Sequence, residues 1–303
     1  MNVWVVYFPC SGGGLVEPVI RFASNLDVLK TQEATLDSAE SYMSSLFNVR
    51  GNISSRGTQR EFPFYTFEDM VNNQDFEGTT KNTVYSINSI TEDAKTDKIF
   101  DWVENVASIG DNIMYVGFDD PIFCIVAQQK NDPKVIRSMF MPDVRIKEWN
   151  ENAETFADLE RWQQREYLSM HLDFFFDLVP EQNKTAALKG WKTFVAEEFY
   201  TDTKGTMDEV CQWLNTTTKH DPFENLCTYW ERNQVNIHQD YQSIIDAIHA
   251  IEIGDQEYKI QLRSTVYEAI IQRYLRVEKN ISLKCFGLNT FPSTVKELQE
   301  YYE

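Results

Sequence analysis

The sequence predicts an α/β protein, a mainly parallel sheet flanked by helices, with a helical C-terminal extension. Three observations carry that expectation. Residues 3–8 (VWVVYF) and 112–118 (NIMYVGF) are short apolar runs, and each passes through a turn signal into a segment of helical spacing. From residue 220 onward the apolar spacing is almost wholly helical. Strands alternating with helices, then helices alone, suit a parallel α/β domain with an appendage, here residues 1–215 and 216–303.

In chain order, residues 3–8 form a buried strand bounded by Pro-Cys-Ser-Gly. Val19, Ile20, Phe22, Ala23 and Leu26 then repeat with helical period across 17–30, and 36–47 is a second, polar helix. Residues 49–74 are loop-rich, with glycines, serines and Arg50, Arg56 and Arg60 close together. Ile99, Trp102, Val103 and Val106 give a helix over 95–108. Residues 112–118 form the second clear strand. Asp119-Asp120-Pro121 then caps a helix over 122–130, because Asp suits the cap and Pro the first turn. Residues 135–141 are a weaker strand, and 153–178 carry the longest helical pattern. The stretch GWKTFVAEEFYTD (190–202) reads as a short strand plus turn, and 205–215 as a helix. Helices follow over 223–235, 241–251 and 258–277, then a strand-like ISLKCFGLN (281–289) and a last helix over 293–302.

The balance of charge excludes some functions. With 28 Lys and Arg against 47 Asp and Glu, the net charge is −19, the wrong sign for a broad nucleic-acid-binding face. An anionic ligand has to be met by a local positive patch, and Arg50, Arg56 and Arg60 form the densest cationic run, with the fork geometry that suits oxyanions. The alternative is a solvated loop with ordinary surface charge. The longest apolar run falls well short of the roughly 18–20 residues that span a bilayer. The first ten residues lack a basic flank and meet Pro9 too early for a secretory signal, so a cytoplasmic protein is expected, without membrane or nucleic-acid partners. Five scattered cysteines with no CxxC pair indicate neither a disulfide framework nor a zinc site, and no metal is expected.

The chemistry-bearing candidate is the loop after the first strand, Cys10-Ser11-Gly12-Gly13-Gly14. Consecutive glycines at the carboxyl end of a buried strand let backbone N–H groups converge on an oxyanion, and the following helix adds its positive end. Neither G-x-x-x-x-G-K-[ST] nor G-x-G-x-x-G is present. The other reading of the loop is a plain tight turn. Cys10 has two readings as well: a small residue filling the strand end, or a thiol activated at a helix N-terminus. His171, beside Asp173 on an apolar stretch, is expected as a core or boundary histidine rather than a general base. Arg161 and Arg165 read as an exposed helix face, and 268–272 as amphipathic core.

These residues carry a resemblance. YFPCSGGGL (7–15) resembles the first loop of P-loop sulfotransferases, where Pro-Lys/Arg-Ser-Gly lies between the first strand and first helix. MYVGFDDPIFCIVAQQ (114–129) resembles their strand–helix junction, which reads like Val-Arg-Asp-Pro with a serine several residues into the helix. WKTFVAEEFYTDTKGTMDEVCQWLN (191–215) is similar to their late strand–acid–helix segment, and the helical tail after residue 220 resembles tails of sulfotransferase-like proteins of marine phages.

The resemblance implies a P-loop-type sheet and 3′-phosphoadenosine-5′-phosphosulfate as co-substrate, with sulfuryl transfer to a hydroxyl or amine of a small molecule or glycan. It sets Ser11, Gly12, Gly13 and Gly14 on the phosphosulfate loop and Cys10 where the family has its basic residue. Asp120 and Pro121 match the Asp-Pro, Asp119 stands in the arginine position and Ala127 lies near the serine position. Arg50, Arg56 and Arg60 are the candidates to replace the missing cations. Two alternatives stay open: a catalytically degenerate binding or assembly protein with the same fold, and a P-loop kinase-like phosphotransferase.

Overall fold

The structure is a computed structural model that describes residues 3–13, 15–16, 20, 53–55, 84–89, 96–107, 109–131, 143–216, 220–283 and 288–303. Two compact units divide the chain, Met1–Asp119 with Val179–Gln234, and Asp120–Leu178 with Val235–Glu303.

The first unit is α/β. Its sheet contains β1 (Val3–Tyr7), β2 (Ile53–Ser55), β3 (Val84–Asn88), β4 (Asn112–Gly117) and β5 (Lys192–Val195), in the order β2-β3-β1-β4-β5. β1 runs parallel to β3 on one side, Val3 opposite Val84, and to β4 on the other, Val3 opposite Asn112. β5 extends the parallel set, and β2, three residues long, closes the far edge antiparallel to β3. The sequence of β1 explains its central place. VWVV has no polar alternation, as expected of a strand covered on both faces, and Val3 through Val6 are fully buried.

One face of β1 and β4 packs on α1 (Thr96–Val106). Trp4, Val6 and Tyr115 from the strands meet Ile99, Phe100, Trp102 and Val103, with Trp191 closing the cluster. Phe100 stacks on Trp191 with ring centroids 4.9 Å apart, and Trp4 meets Trp102 edge-on at 6.1 Å. Three polar side chains inside this unit bond one another. The hydroxyls of Ser89 and Tyr115 both donate to Oε1 of buried Gln182, each at 2.7 Å, and the Gln182 amide donates back to the Ser89 carbonyl.

The second unit is helical. It includes α2 (Pro121–Asn131), α3 (Asp143–Trp149), a 3-10 turn (Phe156–Asp158) and α4 (Arg161–His171). It also includes α9 (Thr265–Glu278) and α10 (Val295–Gln299). One boundary between units falls between Asp119 and Asp120, and the other two fall within α5 (Asp173–Leu188) and α8 (His220–Ile253), while α6 (Ala196–Thr201) and α7 (Thr203–Trp213) belong to the first. Among the described residues no helix is long and apolar enough to cross a membrane.

α4 and α9 pack together around charge. Arg165, which the i,i+4 pattern assigns to an exposed face, is fully buried; it donates to Glu268 at 3.2 Å and to the Leu288 carbonyl, with its guanidinium 5.5 Å from the Phe291 ring. Arg161 donates to the other oxygen of Glu268. Spacing alone does not separate a solvated pair from one that meets an acid on another helix, so the expected exposed face is corrected at Arg165, and the 268–272 core carries a paired charge at Glu268. A second set joins Asp173 to Arg273 at 2.7 Å and Arg276 at 2.9 Å.

Several element expectations change. The pattern over 153–178 is three pieces, because Asp158 and Thr155 close a capping box and the chain restarts after Leu172. α8 is continuous where two helices are expected: residues 236–240 contain neither Gly nor Pro, and buried Ile237 keeps the apolar stripe. Residues 258–264 are not helical; Ser264 caps α9 by accepting from the Val266 N–H, and Ile260 bonds the Ser293 carbonyl instead. The turn after β5 is helix α6, and the last helix is shorter than 293–302. Of the expected strand over 281–289, residues 284–287 lie outside the described residues, and among the described ones Leu283 forms an isolated bridge to Tyr302. The expected helices over 17–30 and 36–47, most of the 49–74 loop and the 135–141 strand lie outside the described residues, apart from a helical Ile20 and β2.

Two substitutions test this packing. A Cβ at Gly13 would sit 2.2 Å from Cγ of Tyr7, so Gly13→Ala is expected to destabilise by about 1–3 kcal/mol, read as a lower thermal midpoint. Glu268→Ala leaves the buried Arg165 without its acid and is expected to cost about 3–5 kcal/mol; an unchanged midpoint would contradict the buried pair.

Candidate functional site

β1 ends at Tyr7, and the strand's carboxyl end is tied on both sides. The Ser89 N–H donates to the Tyr7 carbonyl at 2.8 Å, and the Phe8 N–H donates to the Val116 carbonyl at 2.9 Å. The chain then turns with backbone signs that alternate: Cys10 has φ +63°, Ser11 does not share that sign, and Gly12 has φ +94°. Left- and right-handed residues in succession swing successive N–H groups toward a common point. Gly12 takes its conformation without strain, while Cys10 occupies a region that few non-glycine residues adopt.

Each residue of the turn has a structural contact. Ser11 is fully buried; its hydroxyl donates to the Val116 carbonyl at 2.8 Å and its N–H to the Phe8 carbonyl at 3.0 Å. The Gly12 carbonyl accepts from Leu15 and Val16, so the helical residues start at Gly13. Gly13 lies under the Tyr7 ring, and Gly12 faces Phe199, with 3.4 Å from a would-be Cβ to Phe199 Cβ. Cys10 is half-buried, and its carbonyl accepts from the Tyr200 hydroxyl. Among the described residues, no partner occupies the N–H of Gly12 or Gly13.

The turn's place in the sheet follows from the strand order. The chain leaves β1 toward the β3 side and returns across it to β4, so β1 and β4 border the point where the connections diverge. In open parallel sheets that crevice, outside the carboxyl ends, is where ligands bind. The Ser11–Val116 bond lies across it. An open depression of about 760 Å³, lined by Glu104, Asp111, Lys189, Trp191, Lys192 and Trp213 among others, lies at the opposite, amino ends of β4 and β5.

The rim at the end of β4 is acidic. The Asp119 N–H donates to both carboxylate oxygens of Glu197, at 3.0 and 3.3 Å. The Asn183 amide donates to the Asp119 carboxylate at 3.1 Å and to the Phe118 carbonyl at 2.8 Å. Asp120 belongs to the second unit, where it caps α2: Oδ1 accepts from the Ile122 N–H at 2.7 Å and Oδ2 from the Tyr241 hydroxyl at 2.6 Å. Ala127 is fully buried in α2.

The structure thus gathers Cys10, Ser11, Gly12 and Gly13 in one turn and gives Asp120 a capping role in the other unit. Gly14, Arg50, Arg56 and Arg60 lie outside the described residues. Glu197, Asn183 and Tyr200 are additions that sequence reasoning did not single out. The only hint was the acidic residue after the late strand, since Asn183 and Tyr200 come near through folding alone. His171 is the boundary histidine expected, its ring 4.0 Å from that of Tyr167 and its Nδ1 2.7 Å from the Tyr167 carbonyl.

Comparison with protein-family models, with curated proteins and with solved structures finds no match to this chain.

Two buried cysteines of the first unit are held in the thiol form. Burial pushes the Cys211 thiol up to about 11 and the Cys227 thiol up to about 12, the latter helped by the Glu231 charge. The thiolate is the nucleophile, and it forms at these positions only as pH rises through those values, so at pH 8 roughly one molecule in a thousand or fewer carries it. Iodoacetamide at pH 8, read by peptide mass spectrometry, is expected to label Cys10 ahead of Cys211 and Cys227 and to leave those two unmodified between pH 7 and 9.

Proposed function

We propose that the chain is a sulfotransferase-like protein whose Cys10–Gly13 turn takes the phosphosulfate end of 3′-phosphoadenosine-5′-phosphosulfate on backbone N–H groups. The observation that carries this reading is the alternating backbone of Cys10, Ser11 and Gly12 at the diverging point of the sheet, with the Gly12 and Gly13 N–H groups unengaged among the described residues. Backbone donors need no cation at position 10 to bind an oxyanion. The chemistry would be attack by a hydroxyl or amine of a small molecule or glycan on the sulfur. The bond from sulfur to the bridging phosphate oxygen breaks, 3′-phosphoadenosine-5′-phosphate leaves, and the acceptor loses its proton. Donors at the bridging oxygen stabilise the charge that leaves with it.

A second reading, a binding or assembly protein without transfer chemistry, is favoured by the carboxylates of Asp119 and Glu197 at the end of β4. Asp119 occupies the position that the resemblance gives to an arginine, and a carboxylate there repels a 3′-phosphate. Calorimetric titration with 3′-phosphoadenosine-5′-phosphate decides between them. Saturable heat with micromolar affinity is expected from the sulfotransferase-like reading; no heat at high micromolar ligand would overturn it. Asp119→Asn is expected to tighten binding several-fold by removing the repulsion, with the larger gain at low salt.

A further inference from the structure

We infer that Tyr200 is a positioning residue for the Cys10–Gly13 turn, setting the direction of the N–H groups that meet the anion; this rests on the reading of the turn as an oxyanion site. A peptide unit is planar, so the Cys10 carbonyl and the Ser11 N–H belong to one rigid plate. The Tyr200 hydroxyl donates to one edge of that plate, and the other edge donates to the Phe8 carbonyl at 3.0 Å. Ser11 is anchored a third time through its side chain, to Val116 at 2.8 Å. With the plate held at both edges and the next residue pinned, the Gly12 N–H points in one direction only.

Tyr200 is itself held. It is buried on α6, and the Trp230 ring packs against it with centroids 5.4 Å apart. The Trp230 indole N–H donates to the Phe199 carbonyl at 3.2 Å, and the Thr203 hydroxyl donates to the same carbonyl at 2.7 Å. Phe199 in turn faces Gly12. Consecutive residues of α6 therefore bear on two points of the turn, Phe199 on Gly12 and Tyr200 on Cys10. A left-handed conformation at a non-glycine residue persists when its surroundings over-determine it. Tyr200 supplies that constraint from outside the loop.

Tyr200→Phe removes one oxygen and keeps the ring. Two measurements on the full chain test the inference: hydrogen exchange of the Ser11 amide in ligand-free protein, and the dissociation constant for 3′-phosphoadenosine-5′-phosphate. The variant is expected to speed Ser11 exchange about tenfold and weaken nucleotide binding about tenfold, the scale of one lost hydrogen bond, with β4 amides unchanged. Unchanged Ser11 exchange overturns the inference, and so does equal acceleration at β4, which marks a general loss of stability. Unaltered binding beside faster exchange also overturns it. Absence of binding by the unsubstituted protein overturns the oxyanion reading alone, because exchange is read without ligand.

Discussion

The constraint on which the first unit depends is that β1 has a neighbour on both edges and cover on both faces. Val3, Trp4, Val5 and Val6 are fully buried, and the strand's register is fixed by β3 and β4 together. A slip of one residue would exchange the faces, carrying Trp4 and Val6 away from α1 and Val3 and Val5 into their place. Everything at the carboxyl end inherits that register. Phe8 reaches Val116, Ser89 reaches Tyr7, and Ser11 reaches Val116 only because β1 stops where it does.

What was legible in the sequence follows from how directly a pattern maps to burial. β1 and β4 were readable because an unbroken apolar run bounded by turn residues has few other solutions. The cap of α2 was readable because Asp-x-x and Pro act locally, and Asp120 does bond the Ile122 N–H. β3, VYSIN, gave no such signal: Ser86 and Asn88 interrupt its run, and its pairing with β1 is what makes it a strand. The glycine turn was legible as a turn. Its partners were not, since Tyr200, Phe199 and Val116 are distant in sequence, and nothing local in AEEFYT says that it backs residues 10–12.

The charged residues of the second unit make the same point about ambiguity. Arg161 and Arg165 have a spacing that fits a solvated face, and only the arrival of α9 with Glu268 makes the pair structural. A buried arginine needs partners for its donors: Nη1 of Arg165 has Glu268 and Nη2 the Leu288 carbonyl, while its buried Nε has none among the described residues. Asp173 plays a similar part for Arg273 and Arg276. In a chain of net charge −19, these arginines are committed to internal acids and add little to any external attraction for anions.

The Ser11 hydroxyl and the Val116 carbonyl are 105 positions apart, and the Cys10 carbonyl and Tyr200 hydroxyl 190. Such contacts are late ones, since the entropy of closing long loops must be overcome before they form. During synthesis the Cys10–Gly12 turn therefore gains its contact with Tyr200 only after residue 200 has been made. A chain arrested before residue 200 would possess all of PCSGGG without the Tyr200 hydrogen bond, so the complete set of bonds around this turn reports that synthesis has passed residue 200 and that residues 10 and 200 have met.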